Sequence, residues 1–406
     1  MRTRTRRLDA AARLQPLGLS LTKMLLVLSL VVVGCGGSDL PQTPDDSFYI
    51  PPDPLPSATP GTLIRSQEVA PIAAASRTFA VLYVSESLPG DPIAVSGLVV
   101  VPNIPEPAEG LDVVSWGHGT KGLADRCAPS RGFSGPTHDF FLIAPELIDA
   151  GYLAVSSDYE GLGTPELHPY LVGESQARSA LDIVRAATQL EQVQGIDQVA
   201  VWGRSQGGQT ALFASEIAAS WAPELDLAAV VAAAPACCME TVAKAGALIP
   251  GSRGLVWMSL VAYAEAFELD FDAVFTDDGR TAVDALIADD VCYEEWVEVA
   301  NSFGDDTGIA INFDRADGWI DAFERSSPGR VAVDVPVLVL QGTADTTTPK
   351  ALTDILTTDM CMLGTSVDYR VFEGFSHNDS TAMNMPLMLE WTAARFAGEP
   401  AGITCE

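Results

Sequence analysis

The sequence predicts an α/β fold, a mostly parallel β-sheet with helices on both faces, and three observations carry that expectation. Short apolar runs ending in Gly or another small residue recur along the chain, among them "LDVVSWGHGT", "YLAVSSDYEG", "DQVAVWGRS", "LAAVVAAAP" and "VPVLVLQG". Runs of this kind belong to strands buried on both faces. Helical patterns lie between them, as in "ESQARSALDIVRAATQLE" (174–191), where Ala180, Ile183, Val184 and Ala187 fall on one face; this alternation is the pattern of crossover connections. A chain of 406 residues, 48% hydrophobic, also has enough apolar side chain to fill such a core.

The chain begins with a basic stretch holding Arg2, Arg4, Arg6, Arg7, Arg13 and Lys23, followed by "MLLVLSLVVVG" (24–34) and Cys35. This is the pattern of an export signal over 1–34. The apolar run is too short for a membrane span, which takes roughly 20 residues. Its end, "VVGCGG", resembles the lipobox of bacterial lipoproteins, which implies that Cys35 is lipidated and that acyl chains hold the mature chain to a membrane. Residues 35–62, rich in Pro, Ser and Asp, are expected to form a flexible tether leading to a docked extended segment.

One domain is expected over 63–406. "RTFAVLYVSES" (77–87) and "PIAVSGLVVVP" (92–102) flank the turn "LPGD" and are expected to pair antiparallel. The five apolar runs then supply the parallel strands. Between "VVAAAPACC" (230–238) and "VAVDVPVLVL" (331–340) the rhythm breaks, and about 239–330 reads as a helical insertion. Trp257, Met258, Tyr263, Phe267 and Phe271 within it could face lipid or simply pack a small helical subdomain, packing being the commoner case. An insertion at this point in the order is where a lid over a site is expected.

Against 23 Lys and Arg stand 54 Asp and Glu, a formal charge of −31. That field repels phosphate backbones and anionic surfaces, which argues against nucleic-acid binding and leaves solubility as its role. Beyond Cys35 six cysteines remain, an even number that in an exported chain reads as disulfides, with no CxxC or His cluster to hold a metal. Cys361 is expected to join Cys405 and clamp the C-terminal tail. The adjacent Cys237 and Cys238 are expected to bond to different partners, and the pairing of Cys127, Cys237, Cys238 and Cys292 is left open.

"GRSQG", Gly203 to Gly207, matches Gly-x-Ser-x-Gly, follows a β-rich run and opens a helix, which is the setting of a nucleophile elbow. The flanking Gly203 and Gly207 let a strained turn thrust Ser205 outward at a helix N-terminus, where developing negative charge is favoured. The chain holds four histidines, His118, His138, His168 and His377. In the order Ser, acid, His, only His377 follows Ser205, so it is the expected base. Asp345, just past the run "VPVLVLQG", is the expected acid, with Asp379 and Glu373 as alternatives too close to His377 in sequence. For an oxyanion hole, the backbone amide of Gln206 is one expected donor and that of Thr120, in "GHGT", the other, with Gly119 as second choice. His118 then shapes this loop. No metal and no organic cofactor is required.

With these motifs in place, "FYIPPDPLPSATPGTLIRSQEV" (48–69), "SWGHGTKGLADRCAPS" (115–130), "DYEGLGTPELHPYLVGESQARSALD" (158–182), the elbow and the Asp and His loops together resemble the secretory lipase family, the lipase A type of α/β-hydrolase. The resemblance implies fatty-acyl esters as substrates, a helical lid before the strand carrying the acid, and disulfides securing lid and tail. Arg204 departs from the His or Tyr many relatives carry beside the nucleophile, which bears on substrate preference. Tyr159, Glu160 and Tyr170 read as braces of the loop beside the elbow, ahead of a role in shaping the pocket. The function expected is therefore an exported, lipid-anchored serine carboxylesterase or lipase, monomeric, working through an acyl-enzyme. Rival readings are a peptidase or a polyester or cell-wall esterase of the same fold, and a surface lipoprotein without catalysis.

Overall fold

In the computed structural model, residues 40–105, 107–132, 139–249 and 251–405 are described. The expected signal over 1–34, Cys35 and His138 lie outside the described residues. Nine strands, β1 (Leu63–Val69), β2 (Ser76–Glu86), β3 (Pro92–Pro102), β4 (Leu111–Gly117), β5 (Leu153–Ser157), β6 (Ile196–Arg204), β7 (Asp226–Ala233), β8 (Val337–Gly342) and β9 (Val367–Phe372), form one sheet. Its order is β1-β2-β3-β5-β4-β6-β7-β8-β9. The three pairings among the first four in that order are antiparallel, and every pairing from β5 on to β9 is parallel.

Both faces of the sheet are covered, which is why its strands read as unbroken apolar runs. Helices α1 (Asp139–Asp149), α2 (Gly173–Ala187) and α3 (Gln206–Trp221) precede the insertion; α9 (Lys350–Leu363), α10 (Asp379–Ala382) and α11 (Met385–Phe396) follow it. Along β2, Val81 and Tyr83 pack with α2, α3 and α9 residues such as Leu181, Leu212 and Leu356. The alternate Ala80 and Leu82 pack with α1 and α11 residues such as Phe140 and Trp391. The hairpin β2–β3 has the expected partners, from Ser76 opposite Pro102 to Glu86 opposite Pro92.

Between β7 and β8 lie α4 (Met239–Thr241), α5 (Arg253–Ala266), α6 (Asp277–Ala288), α7 (Tyr293–Ser302) and α8 (Trp319–Arg325). They surround an apolar cluster of their own in which Trp257, Met258 and Tyr263 of α5 are buried, with Phe267 and Phe271 packed partly against it. The rings meet edge-on, Trp257 at 5.0 Å from Phe303 and 5.5 Å from Phe275, each at more than 70°. This offset geometry is the one aromatic quadrupoles favour.

Two expectations require correction. The tether expected over 35–62 is docked from residue 40 onward. Phe48 and Tyr49 are buried, and the Arg131 guanidinium stacks 3.9 Å from the Tyr49 ring while also binding Asp46 at 2.8 Å. The two buried aromatics anchor an otherwise polar segment, since each buries a large area. The second correction concerns cysteines. Cys127 is joined to Cys292 and Cys361 to Cys405, but Cys237 and Cys238 are both free thiols. The tail behind Cys405 lies along β9, with the Thr404 amide donating to Val367 O at 2.8 Å.

Candidate active site

The strand order reverses at β4, with β5 on one side and β6 on the other, and the C-terminal ends of strands at such a switch point form a crevice. The turn from β6 to α3 sits there. A Cβ at Gly203 would lie 1.9 Å from Gly207 O, and one at Gly207 would lie 1.9 Å from Gly117 O. Strand, helix and neighbouring strand thus approach more closely than any side chain permits. Ser205 is held at φ 59°, ψ −117°, a backbone region that costs a non-glycine residue roughly 1–3 kcal/mol. The fold holds it there through Ser205 N donating to Ala233 O at 3.0 Å, and through Ala236 N and Gln209 N donating to Ser205 O at 3.0 and 3.1 Å.

Asp345 and His377 come from the loops after β8 and β9 and meet. His377 Nδ1 donates to Asp345 Oδ2 at 2.8 Å. The Asp345 carboxylate, its side chain fully buried, also accepts from Thr347 N at 2.8 Å, Thr348 N at 2.9 Å, Thr348 Oγ1 at 2.9 Å and Gln341 Nε2 at 3.3 Å. Burial pushes its pKa up, but the His377 hydrogen bond and charge and the Thr348 donors outweigh burial and hold it below the ordinary carboxylate value. The other two carboxyls considered do not share this place. Asp379 binds Ser376 N and Oγ at 2.8 and 2.6 Å, bracing the loop, and Glu373 is exposed.

On the opposite side of the elbow lies the loop after β4. A Cβ at Gly119 would stand 3.1 Å from the Arg204 guanidinium, so this loop borders the residue before Ser205. Thr120 Oγ1 and Tyr170 OH share a hydrogen bond of 2.7 Å. His118 is fully buried, its ring nitrogens 2.8 and 3.2 Å from Gly119 O and Asp158 O, and burial lowers its pKa to about 4. It is thereby placed as a loop brace. The Tyr159 hydroxyl donates to His118 O at 3.3 Å and accepts from Thr210 Oγ1 at 3.2 Å, and Glu160 accepts from the Ser175 hydroxyl.

A buried chain of amides that the sequence did not disclose ties these parts to α3. His168 Nδ1 donates to Glu160 O at 2.7 Å, leaving Nε2 to accept from Gln206 Nε2 at 2.9 Å. Gln206 Nε2 also donates to Gln176 Oε1 at 2.6 Å, Gln176 to Gln209 Oε1 at 3.0 Å, and Gln209 to the carbonyls of Leu171 and Ser326. His168 is kept neutral, its pKa lowered by burial to about 3. Arg204 turns away from the cavity over Ser205: its guanidinium binds Asp139 at the start of α1 at 2.9 Å and Asn378, next to His377, at 3.3 Å.

That cavity, about 40 Å³, is lined by Ser205, Thr347 and Thr348, with an apolar wall that includes Leu171, Pro235, Met239, Val242 and Leu255. Thr348 Oγ1 lies 3.2 Å from His377 Nδ1, so the wall reaches the Asp345–His377 pair. Larger surface grooves, up to about 800 Å³, hold neither Ser205, Asp345 nor His377. Among the described residues no group of His, Cys, Asp and Glu could hold a metal ion.

A mostly parallel sheet, covered on both faces, with a strained serine between strand and helix at its switch point, defines the α/β-hydrolase class. The chain belongs to the secretory lipase family, whose model matches residues 134–403. Among its relatives, a Mycobacterium tuberculosis protein described as a probable inactive lipase is 25% identical over 88% of this chain and 83% of its own. Lipase 10 of Candida albicans is 26% identical over 89% of this chain and 83% of its own. Among solved structures, Candida antarctica lipase A in its closed state superposes with a TM-score of 0.77 at 19% identity, covering 90% of this chain and 89% of that one. The rice cell wall degrading esterase LipA of Xanthomonas oryzae does so at 0.65 and 22%, covering 81% and 95%.

Proposed function

We propose that this chain is an exported serine hydrolase that cleaves carboxylic esters through an acyl-enzyme. The observation that carries the reading is the cavity that Ser205 shares with Thr348, which joins the strained elbow to the Asp345–His377 pair. Ser205 Oγ attacks the ester carbonyl as His377 Nε2 takes its proton; Asp345 holds the Nδ1–H tautomer and stabilises the imidazolium. The developing oxyanion is received by the amides of Gln206 and Thr120. Gln206 is the first residue of α3, where amides lack intrahelical acceptors and the helix dipole favours negative charge. His377 then protonates the leaving alcohol and activates the water that frees the acid.

The acyl group enters the apolar cavity. At about 40 Å³ the cavity has room for a few water molecules, so a long chain enters only when the wall from the insertion, Met239, Val242 and Leu255, moves aside. The insertion acts as a lid in this sense. Export is supported by the secretory family, and Cys35 is proposed as the lipid-bearing first residue of the mature chain. Cys35→Ser should release the protein from the membrane fraction with hydrolysis intact; unchanged fractionation refutes the anchor.

The test of the activity is a p-nitrophenyl ester series from acetate to palmitate run beside a peptide amide panel, with fluorophosphonate labelling of Ser205. Ester turnover lost in Ser205→Ala supports the reading; amide turnover without ester preference points to a peptidase. The relative described as a probable inactive lipase favours one alternative, a binding protein without catalysis, and absence of both label and turnover would establish it.

A further inference from the structure

We propose that Cys237 and Cys238 form a redox-modification site, a vicinal dithiol that closes to a disulfide by exchange with a small disulfide oxidant and in closing reshapes the wall beside Ser205. The second half of this statement rests on the hydrolase reading above; the first does not. The two sulfurs lie 3.5 Å apart, whereas the other four described cysteines are already joined. The pair ends the segment after β7, which is hydrogen-bonded to the elbow: Ala236 N donates to Ser205 O, and both Ala234 (φ 44°) and Cys238 (φ 55°) occupy the left-handed region.

The two thiols face different spaces. Cys237, 2% exposed, lines the cavity that holds Ser205. Cys238 is half-buried and lines a separate open groove of about 490 Å³ beside Arg330 and Asp359. An oxidant therefore reaches Cys238 without passing the nucleophile. The contact between the two thiols holds Cys238 below the ordinary thiol value, while that same contact, with burial, pushes Cys237 above it. The exposed member is thus the one that becomes the thiolate, the form that attacks disulfides.

The exchange balances in two steps. Cys238 thiolate attacks one sulfur of the oxidant R–S–S–R, forming Cys238–S–S–R and releasing one R–S⁻, which takes up the Cys238 proton. Cys237, deprotonated in turn, attacks Cys238 Sγ, forming the Cys237–Cys238 bond and breaking Cys238–S–R; the second R–S⁻ takes the Cys237 proton. Two protein thiols are oxidised and one disulfide is reduced to two thiols. Adjacent Cα atoms stand about 3.8 Å apart, below the roughly 4.4–6.8 Å usual for disulfides, so the ring is strained. Strained disulfides are the oxidising, readily reduced ones, and the closed pair should reopen under reductant that leaves Cys127–Cys292 and Cys361–Cys405 intact.

The experiment treats the full-length protein with oxidised glutathione, alkylates it, maps the peptide containing residues 237–238 by mass, and measures ester kcat/KM in parallel. Expected is a peptide lighter by two hydrogens than the dithiol and unalkylated at both positions, with kcat/KM lower by at least about threefold and both changes reversed by dithiothreitol. Cys237→Ser should instead trap glutathione on Cys238. Two thiols that stay alkylatable, or a stable glutathione adduct on the unmodified sequence, overturn the site. Closure with unchanged ester turnover overturns its link to the cavity. Closure in a protein without turnover in either state upholds the site and removes the hydrolase reading.

Discussion

Two buried polar networks flank Ser205, and they differ in whether burial or hydrogen bonding decides the pKa of their carboxyls. On one side Asp345 accepts from His377, Thr347, Thr348 and Gln341 and is held below the ordinary carboxylate value. On the other, Asp158 accepts from Ser96 and Ser130, and Glu160 from Ser175, yet burial pushes them up to about 6 and about 7. Both carboxyls of the second network are as deeply placed as Asp345, and Asp158 also has several donors. What they lack is an imidazole or guanidinium in direct hydrogen bond. Burial raises a carboxyl, and a partner holds it down only where it outweighs burial, as His377 does for Asp345; Asp182, bound by Arg185 at 2.8 Å, is still raised to about 6. The charged network is suited to a reaction that creates an imidazolium, the second, whose carboxyls burial has raised, to holding loops still.

Ser205→Ala is the sharpest cut between the two networks, expected to lower ester kcat about 10⁶-fold while leaving thermal unfolding near the parent; a small loss in turnover would mean that the elbow is not where chemistry occurs. Asp345→Asn keeps the shape of the charged network but removes its charge, and kcat should fall about 10⁴-fold. Thr348→Val removes one donor to that carboxylate and one contact to His377, with an expected loss of about tenfold in kcat and the acid limb of the pH–rate profile displaced upward. A profile that does not move would show Thr348 to be packing only.

The second network, with its raised carboxyls, should register in stability instead. Glu160 keeps its proton in the folded state up to about pH 7, against 4.5 ordinarily, so the native state binds more protons than the unfolded one across that window. Stability then falls as pH rises from about 4.5 to 7, and Asp158 and Asp182, raised from 3.8 to about 6, add to the fall. Asp345 acts oppositely, its contribution being lost as pH drops through its depressed value. Calorimetry should therefore find a lower Tm at pH 8 than at pH 5.5. Glu160→Gln should flatten that slope, gaining about 1–3 kcal/mol at pH 8 with kcat/KM within about threefold of the parent. A variant with the slope intact would place the titration elsewhere.

The charged network was legible in sequence to the extent that its parts are local. Gly-x-Ser-x-Gly between strand and helix specifies its own turn, and with four histidines in the chain the order of elements singles out His377. Thr348 and Gln341 were not found, because their role depends on how two loops far apart in sequence close on one carboxylate. Of the second network, Tyr159, Glu160 and Tyr170 in "DYEGLGTPELHPYLVGES" were legible as braces of the loop; the Gln206–Gln176–Gln209 chain was not, because it joins two helices and no periodicity marks it. β1 escaped because "LIRSQEV" is a half-exposed edge strand with one fully buried residue, Val69. The signal for docking of the segment before it was present in "DSFYIPP", whose two aromatics outweigh the surrounding prolines and aspartates. The Cys127–Cys292 pairing spans 165 positions, a distance over which spacing carries no information.

That same bond has a mechanical meaning. Cys127 follows the loop after β4, and Cys292 caps α7 in the insertion, where Gly122 and Cys292 form an isolated β-bridge and Tyr293 N donates to Lys121 O at 2.9 Å. One corner of the helical insertion is thus riveted to the stretch that begins at His118. The cavity wall at Met239, Val242 and Leu255 belongs to the same insertion. One covalent anchor therefore serves both the loop that carries Thr120 and the insertion that walls the cavity over Ser205.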